Sequence, residues 1–311
     1  MTYAKTKEYS NSKLALLREA LSGVAPQGCI VVTCGSFARK EASTDSDIDF
    51  FFITNEESIE RPSSGWTSNV ESKISGIVKI EPSSNGAFAR CENRDEMLCN
   101  IGGESDTNAK ITRRILFLLE GEWLVDEAGA KHVRRCILER YIGETVADHH
   151  LALFLLNDII RYWRTIAVDY EFKTGEGVNP KPWGIRNIKL VFSRKLLYAS
   201  GLFSVALTVN KTREKKIEML EQLFDLPVIE RMTEICGESN MRAVLNTYDK
   251  FLDKLADTDI RNRLKSLKRN ERDDKVFREL KNDGHCFARE LLKLFEDTFD
   301  TTHPIRRAVL F

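Results

Sequence analysis

The sequence predicts an α+β protein, with a small mixed sheet and its helices in the first part and a mainly α-helical second part. Three observations carry this: two short strand-like runs near the N-terminus, a small polar loop between them, and helix-length apolar periodicity from residue 111 almost to the end.

At 311 residues the chain has room for two domains and at least one sizeable core. A hydrophobic fraction of 42% and a charged fraction of 30% suit a folded chain rather than a disordered one. Lys plus Arg and Asp plus Glu number 47 each, so the formal charge is +0. That excludes a global attraction to nucleic acid or anionic membrane and confines any polyanion site to a local patch. The 7 cysteines lie far apart, with no C-x-x-C pair and no histidines at zinc-ligand spacing, as expected of reduced thiols in an intracellular protein. Residues 1–13 lack the apolar core of a signal peptide, and no run approaches about 18 apolar residues, so the expectation is a cytoplasmic protein without a membrane span.

Residues 12–24 place Leu14, Leu16, Leu17 and Leu21 near helical spacing, which predicts an opening amphipathic helix. Residues 28–34 contain Cys-Ile-Val-Val-Thr-Cys, a β-branched run that suits a buried strand. Residues 49–53 (Asp-Phe-Phe-Phe-Ile) give a second strand, stopped by Thr-Asn-Glu-Glu. Residues 63–75 read as helix and 76–80 as a third strand ended by Pro82. Ile111, Ile115, Leu116, Leu118 and Leu119 then begin the helical part, whose clearest segments are 133–142, 149–170, 183–200, 214–224, 241–255 and 286–299. The domain division is expected at residue 125, giving 1–125 and 126–311. Residues 174–183, with two glycines and two prolines, read as a loop between long helices. Residues 261–281 carry nine basic and four acidic residues and read as a solvated helix or a loop.

The chemistry sits between the first two strands. Asp47 and Asp49 are one residue apart, so on an extended chain both side chains point to one face, about 6 to 7 Å apart. Burying two such carboxylates without a cation costs several kcal/mol, which suggests Mg²⁺ or Mn²⁺. Gly35-Ser36 follows a strand and is expected to open a helix, where free backbone N–H groups and the helix dipole favour a phosphate. Ser36 adds a hydroxyl, and Arg39, one turn later, is placed to reach the same anion or to pair with Glu41.

Gly-Ser, a spacer, then Asp-x-Asp on a strand resembles the signature of the polymerase-β nucleotidyltransferase superfamily. The form Gly-Ser-x-x-Arg-x-Glu followed by Ser-Asp-x-Asp is similar to the branch that contains the PII-protein uridylyltransferases, as, more loosely, are Asp106-Thr107, Arg113-Arg114 and Leu119-Glu120-Gly121. The resemblance covers roughly the first 120 residues. It implies a nucleotidyltransferase domain that takes a nucleoside triphosphate, Mg²⁺ or Mn²⁺ on Asp47 and Asp49, phosphate contacts from Gly35, Ser36 and Arg39, and transfer of a nucleotidyl group to a hydroxyl acceptor (protein, RNA or small molecule) with release of pyrophosphate. It also implies a third carboxylate on a later strand. Glu81, at the end of the strand expected at 76–80, is the candidate, with Asp95 and Asp106 less well placed. In two-domain members the helical domain supplies cations to the triphosphate, which makes Lys189 and Lys195 candidate nucleotide ligands among the basic helix faces that also carry Arg161, Arg164, Arg186 and Arg194. Two alternatives stay open: a degenerate nucleotide-binding regulatory module, and a synthase of oligonucleotide signals.

Adjacent residues on a helix point about 100° apart, so His149 and His150 are read as surface or capping residues rather than joint metal ligands. The basic run at 261–281 lacks the interleaved aromatics of a single-strand platform. Residues 305–311 (Ile-Arg-Arg-Ala-Val-Leu-Phe) are apolar for a terminus and are expected to dock on the chain itself or on a partner, including a second copy.

Overall fold

A computed structural model describes residues 2–55, 59–60, 65–79, 90–99, 101–175 and 181–310. The fold is α+β. The chain runs α1 (Thr2–Leu21), β1 (Ile30–Cys34), β2 (Asp49–Thr54), β3 (Ile59–Glu60), α2 (Trp66–Ile77), β4 (Arg90–Asn93), α3 (Arg94–Cys99), α4 (Asn108–Glu120), β5 (Glu122–Val125) and α5 (Glu127–Tyr141). It continues as α6 (Leu153–Thr174), α7 (Trp183–Lys189), a π-helical segment (Leu190–Arg194), α8 (Lys195–Ala206), α9 (Arg213–Asp225), α10 (Val228–Cys236), α11 (Glu238–Ala256), α12 (Thr258–Ser266), α13 (Lys275–Thr298) and α14 (Ile305–Ala308).

The strands form one mixed sheet in the order β3-β4-β2-β1-β5. β1 and β2 pair antiparallel from Ile30↔Ile53 to Cys34↔Asp49, and β4 runs parallel to β2 with Phe52↔Cys91 and Ile53↔Glu92. Alternation sorts the side chains. Val31, Phe50, Phe52 and Cys91 share a buried cluster with Leu14, Leu17 and Leu21 of α1 and Val70 and Ile74 of α2. On the other face Phe51 meets Phe117 of α4 edge to face at 6.4 Å. Each of these large apolar side chains contributes roughly 1.5–3 kcal/mol on burial, so the sheet is anchored from both sides.

Contacts divide the chain into two compact units, Ala4–Asp148 with Lys211–Pro227, and Met1–Tyr3 with His149–Asn210 and Val228–Phe311. This differs from the division expected at residue 125. The apolar face of α5 packs on the sheet, and α9 packs on α5, where Arg135 pairs with Glu214 and, at 2.7 Å, with Glu221. Both helices therefore join the sheet-bearing unit.

Two expected elements are corrected, and the open reading of residues 261–281 divides into helix, loop and helix. The strand expected at 76–80 is absent from its described part: α2 runs to Ile77, because Thr67, Val70 and Ile74 repeat at helical spacing toward the core and Gly76 faces open space. The neighbour of β2 is instead β4. The helix expected from Gly35 is a turn over residues 35–40, closed by Arg39 N–H to Gly35 O at 3.0 Å and Glu41 N–H to Ser36 O at 2.8 Å, with Lys40 at φ 61. That left-handed residue ends helical propagation. Within 261–281, residues 261–266 belong to α12 and α13 begins at Lys275, capped by Asp274 accepting the Phe277 N–H at 2.9 Å.

In the second unit, Phe192, Phe251 and Phe287 pack together, with Phe192 and Phe251 stacked at 4.5 Å. His149 and His150 precede α6, exposed and edge to face at 4.3 Å. At the C-terminus Ile305 is fully buried against its own chain while Leu310 is 74% exposed. Among the described residues no helix is long and apolar enough to cross a membrane.

Candidate functional site

The site is built at the end of the β1–β2 hairpin. A turn over residues 43–46, held by Ser43 N–H to Ser46 Oγ at 3.0 Å and Ser46 N–H to Ser43 O at 3.0 Å, delivers the chain into Asp47-Ile48-Asp49. Ile48 is fully buried in the same cluster as Phe50 and Phe52. The alternation then turns Asp47 and Asp49 to the opposite face, where both are half-buried. Ile48 thus acts as the anchor that aims both carboxylates. Asp47 makes no hydrogen bond or ion pair with another described residue.

Gly35 is directly beside Asp49. Its φ of 79 lies in the left-handed region, and a Cβ added there would stand 3.3 Å from Asp49 Oδ2. Both the backbone and the space therefore call for glycine. Ser36, next in the turn, is half-buried, and its hydroxyl has no partner among the described residues. The structure brings Gly35, Ser36, Asp47 and Asp49 to one end of one hairpin.

Arg39 lies in the same turn but is engaged elsewhere. Its Nη1 donates to Glu120 Oε2 at 2.5 Å and its Nε donates to Glu41 Oε2 at 2.9 Å, with all three side chains buried. The other oxygen of Glu120 accepts the Gly35 N–H at 3.1 Å. Two consequences follow: the Arg39 charge is balanced by two carboxylates, and the Gly35 N–H is already used within the protein. Glu120 is the residue that sequence reasoning missed in this role. Its signal was a single carboxylate closing the apolar run Ile-Leu-Phe-Leu-Leu before Gly121.

Glu81 lies outside the described residues. Asp106 accepts from both Arg114 Nη1 and Nη2, at 3.1 and 2.9 Å, and is fully engaged in a buried pair. On β4 the carboxylate is Glu92. It faces the same side of the sheet as Asp49, but its register with Ile53 puts it four residues along β2, roughly 13 Å away. Its Oε1 stands 2.9 Å from Arg113 Nε, with both side chains buried. Among the described residues no group of three or more His, Cys, Asp or Glu side chains is assembled to hold a metal ion. The donor set on this face is thus two aspartates with a neighbouring hydroxyl, an all-oxygen set that fits a hard divalent cation. Lys189 and Lys195 belong to the helical unit.

Residues 17–83 match the family model described as a nucleotidyltransferase domain. The matched segment contains β1, the Gly35 turn and β2, and supports membership of this segment in the polymerase-β-like nucleotidyltransferase superfamily. No curated protein matches the chain.

Proposed function

We propose that this protein, which carries a nucleotidyltransferase domain at residues 17–83, is a divalent-metal-dependent enzyme that moves a nucleotidyl group from a nucleoside triphosphate to a hydroxyl acceptor and releases pyrophosphate. The observation that supports this reading is the closeness of Gly35 to Asp49, with Asp47 two residues earlier, half-buried and lacking any described partner. A half-buried carboxylate without a described partner, one residue from a second carboxylate, is costly unless a cation joins them.

Asp47 and Asp49 would hold Mg²⁺ or Mn²⁺, which when bound supplies charge neutralisation for the triphosphate and acidifies the attacking hydroxyl. Ser36 donates its hydroxyl to a phosphate oxygen. Gly35 keeps space open beside Asp49, and Arg39 holds the turn through Glu41 and Glu120 rather than contacting phosphate. Lys189 and Lys195 remain proposed cation donors of the helical unit. Protein, RNA and small-molecule acceptors are all compatible with this machinery, since acceptor choice comes from pocket residues rather than from the phosphate motif.

A second reading, nucleotide binding without turnover, is favoured by one observation: Glu92, the carboxylate on the strand beside β2, is held by Arg113 and displaced along the sheet. The test is incubation of the full chain with each α-labelled nucleoside triphosphate and Mg²⁺ or Mn²⁺, with and without cell RNA and protein, beside Asp47→Ala/Asp49→Ala. Label transferred by the native chain alone supports transfer, and label in a free oligonucleotide without added acceptor identifies a signal synthase. Metal-dependent binding without transfer supports the second reading, and no binding at all removes both.

A further inference from the structure

The helical unit holds a group of cations of which the Asp47–Asp49 reading uses only Lys195. Lys195 opens α8 immediately after the π-helical segment, half-buried, and its ammonium group donates no hydrogen bond to another described residue. Lys281 of α13 is also half-buried, and its Nζ donates to Asn187 Oδ1 of α7 at 3.0 Å, a neutral partner. Asn187 is itself fixed, because its Nδ2 donates to the Tyr170 hydroxyl of α6 at 2.8 Å. Arg272 places its guanidinium over the Trp183 ring at 5.9 Å, at the start of the same α7.

The π-helical segment has a geometric effect. Asn187 and Lys195 are eight residues apart, which on a regular helix would turn them roughly 80° from each other. One inserted residue makes the spacing equivalent to seven, so they return to within roughly 20° of one stripe. On the facing helix, Gly284 lets α13 approach this segment closely; a Cβ there would meet Val191 at 2.4 Å. Lys281, one turn before Gly284, is thereby brought to the same stripe as Asn187 and Lys195. Both ammonium groups sit below their ordinary pKa, Lys195 through burial and then Lys281, and Lys281 through burial and then Arg272. Among the described residues no carboxylate pairs with either lysine. Like charges gathered in a half-buried position, without a counter-charge, oppose folding, and a π-bulge that gathers them marks a functional place.

We propose that Lys195 and Lys281, with Asn187 and Arg272 beside them, form an oxyanion site on the helical unit that takes a phosphate group without a divalent cation. Lysine suits this as a compact charge with several donors, and the Asn187–Tyr170 hydrogen bond keeps Lys281 aimed at a fixed place. The site shares Lys195 with the proposed nucleotidyl transfer, but its phosphate binding needs neither Asp47 nor Asp49.

The test is calorimetric titration of the full chain with inorganic pyrophosphate, with a chelator present and ionic strength held constant by chloride. Saturable binding is expected, weakened at least roughly tenfold by Lys195→Ala and by Lys281→Ala, and unchanged by Asp47→Asn/Asp49→Asn or by Lys250→Ala on α11. Should an alanine variant lose its fold, Lys195→Gln and Lys281→Gln give the same reading. Competition by AMP assigns a terminal phosphate and competition by an unphosphorylated oligonucleotide assigns a backbone diester, and either supports the site. Absence of saturable binding, indifference to both lysine variants, or loss in the aspartate variant overturns it.

Discussion

The Glu120 carboxylate accepts the backbone N–H of Gly35 at 3.1 Å across 85 residues of sequence, tying the end of α4 to the turn that carries Ser36. The same carboxylate holds Arg39 at 2.5 Å. Glu120→Ala is expected to destabilise the fold by about 1.5–3 kcal/mol, because it removes one of the two carboxylates on the buried Arg39 guanidinium and the acceptor of the Gly35 N–H. Glu120→Gln keeps an acceptor for Gly35 and is expected to lose less. Urea unfolding of the two variants beside the native chain measures both. Equal and negligible losses would mean that the contact does not hold the turn.

Gly35→Ala tests the turn from its other side. A left-handed alanine costs about 1–2 kcal/mol, and its Cβ would press on Asp49 Oδ2 from 3.3 Å. The expected outcome is a modest fall in stability together with weaker Mg²⁺ or Mn²⁺ binding. Gly35→Asn tolerates the backbone better but has the same Cβ, so it should recover stability without recovering metal binding. Recovery of both would place the defect in the backbone alone.

Asp47→Asn should behave unlike a core substitution. Asp47 has no described partner to lose, so stability without metal should stay within about 0.5 kcal/mol of the native chain. With metal at 100 times its dissociation constant the native chain gains about 2.7 kcal/mol, and the variant should gain little of it. Thermal unfolding with and without Mn²⁺ reads this directly. A variant stabilised as much as the native chain would remove Asp47 from the ligand set.

How far the sequence led is clearest at this hairpin. Ile48, Phe50 and Phe52 alternate toward the core, and that local period suffices to place Asp47 and Asp49 on the other face. Glu120 could not be read in the same way, because its partners lie on a turn 81 and 85 residues away and no period connects them. The same holds for α9, which packs with α5 although the chain between them passes through the other unit. Residues 76–80 misled for a different reason. Gly-Ile-Val-Lys-Ile has the composition of a strand, but Val70 and Ile74 had already set a helical face that continues through Ile77. The π-helical segment at 190–194 had no sequence signal, since its apolar residues fit an ordinary helix equally well.

Glu92 and Arg113 form a buried pair at 2.9 Å, and a double-mutant cycle separates structure from catalysis there. Removing either charge alone leaves the other buried and should cost about 3–5 kcal/mol, whereas Glu92→Gln/Arg113→Met should recover much of that loss. If the pair is structural, the double variant also keeps its nucleotidyl transfer rate. A double variant that folds as well as the native chain but has lost transfer would instead make Glu92 the third carboxylate, reached through a rearrangement of β4.

The thiols give a prediction that depends on neither functional reading. Cys99 and Cys286 are exposed, Cys136 is half-buried and Cys29, Cys34, Cys91 and Cys236 are buried. A maleimide at neutral pH should therefore modify Cys99 and Cys286 first and the four buried thiols only on unfolding. Cys236 adds a dependence on pH, because burial raises its thiol from 9.0 to about 11. A raised folded-state value means that the native chain keeps a proton which the unfolded chain releases. Its contribution to stability is complete below pH 9.0 and is lost as pH rises toward about 11. Cys236→Ser isolates the effect: between these pH values the native chain should lose more stability than the variant in urea unfolding. Parallel curves would show that Cys236 titrates alike in the folded and unfolded states.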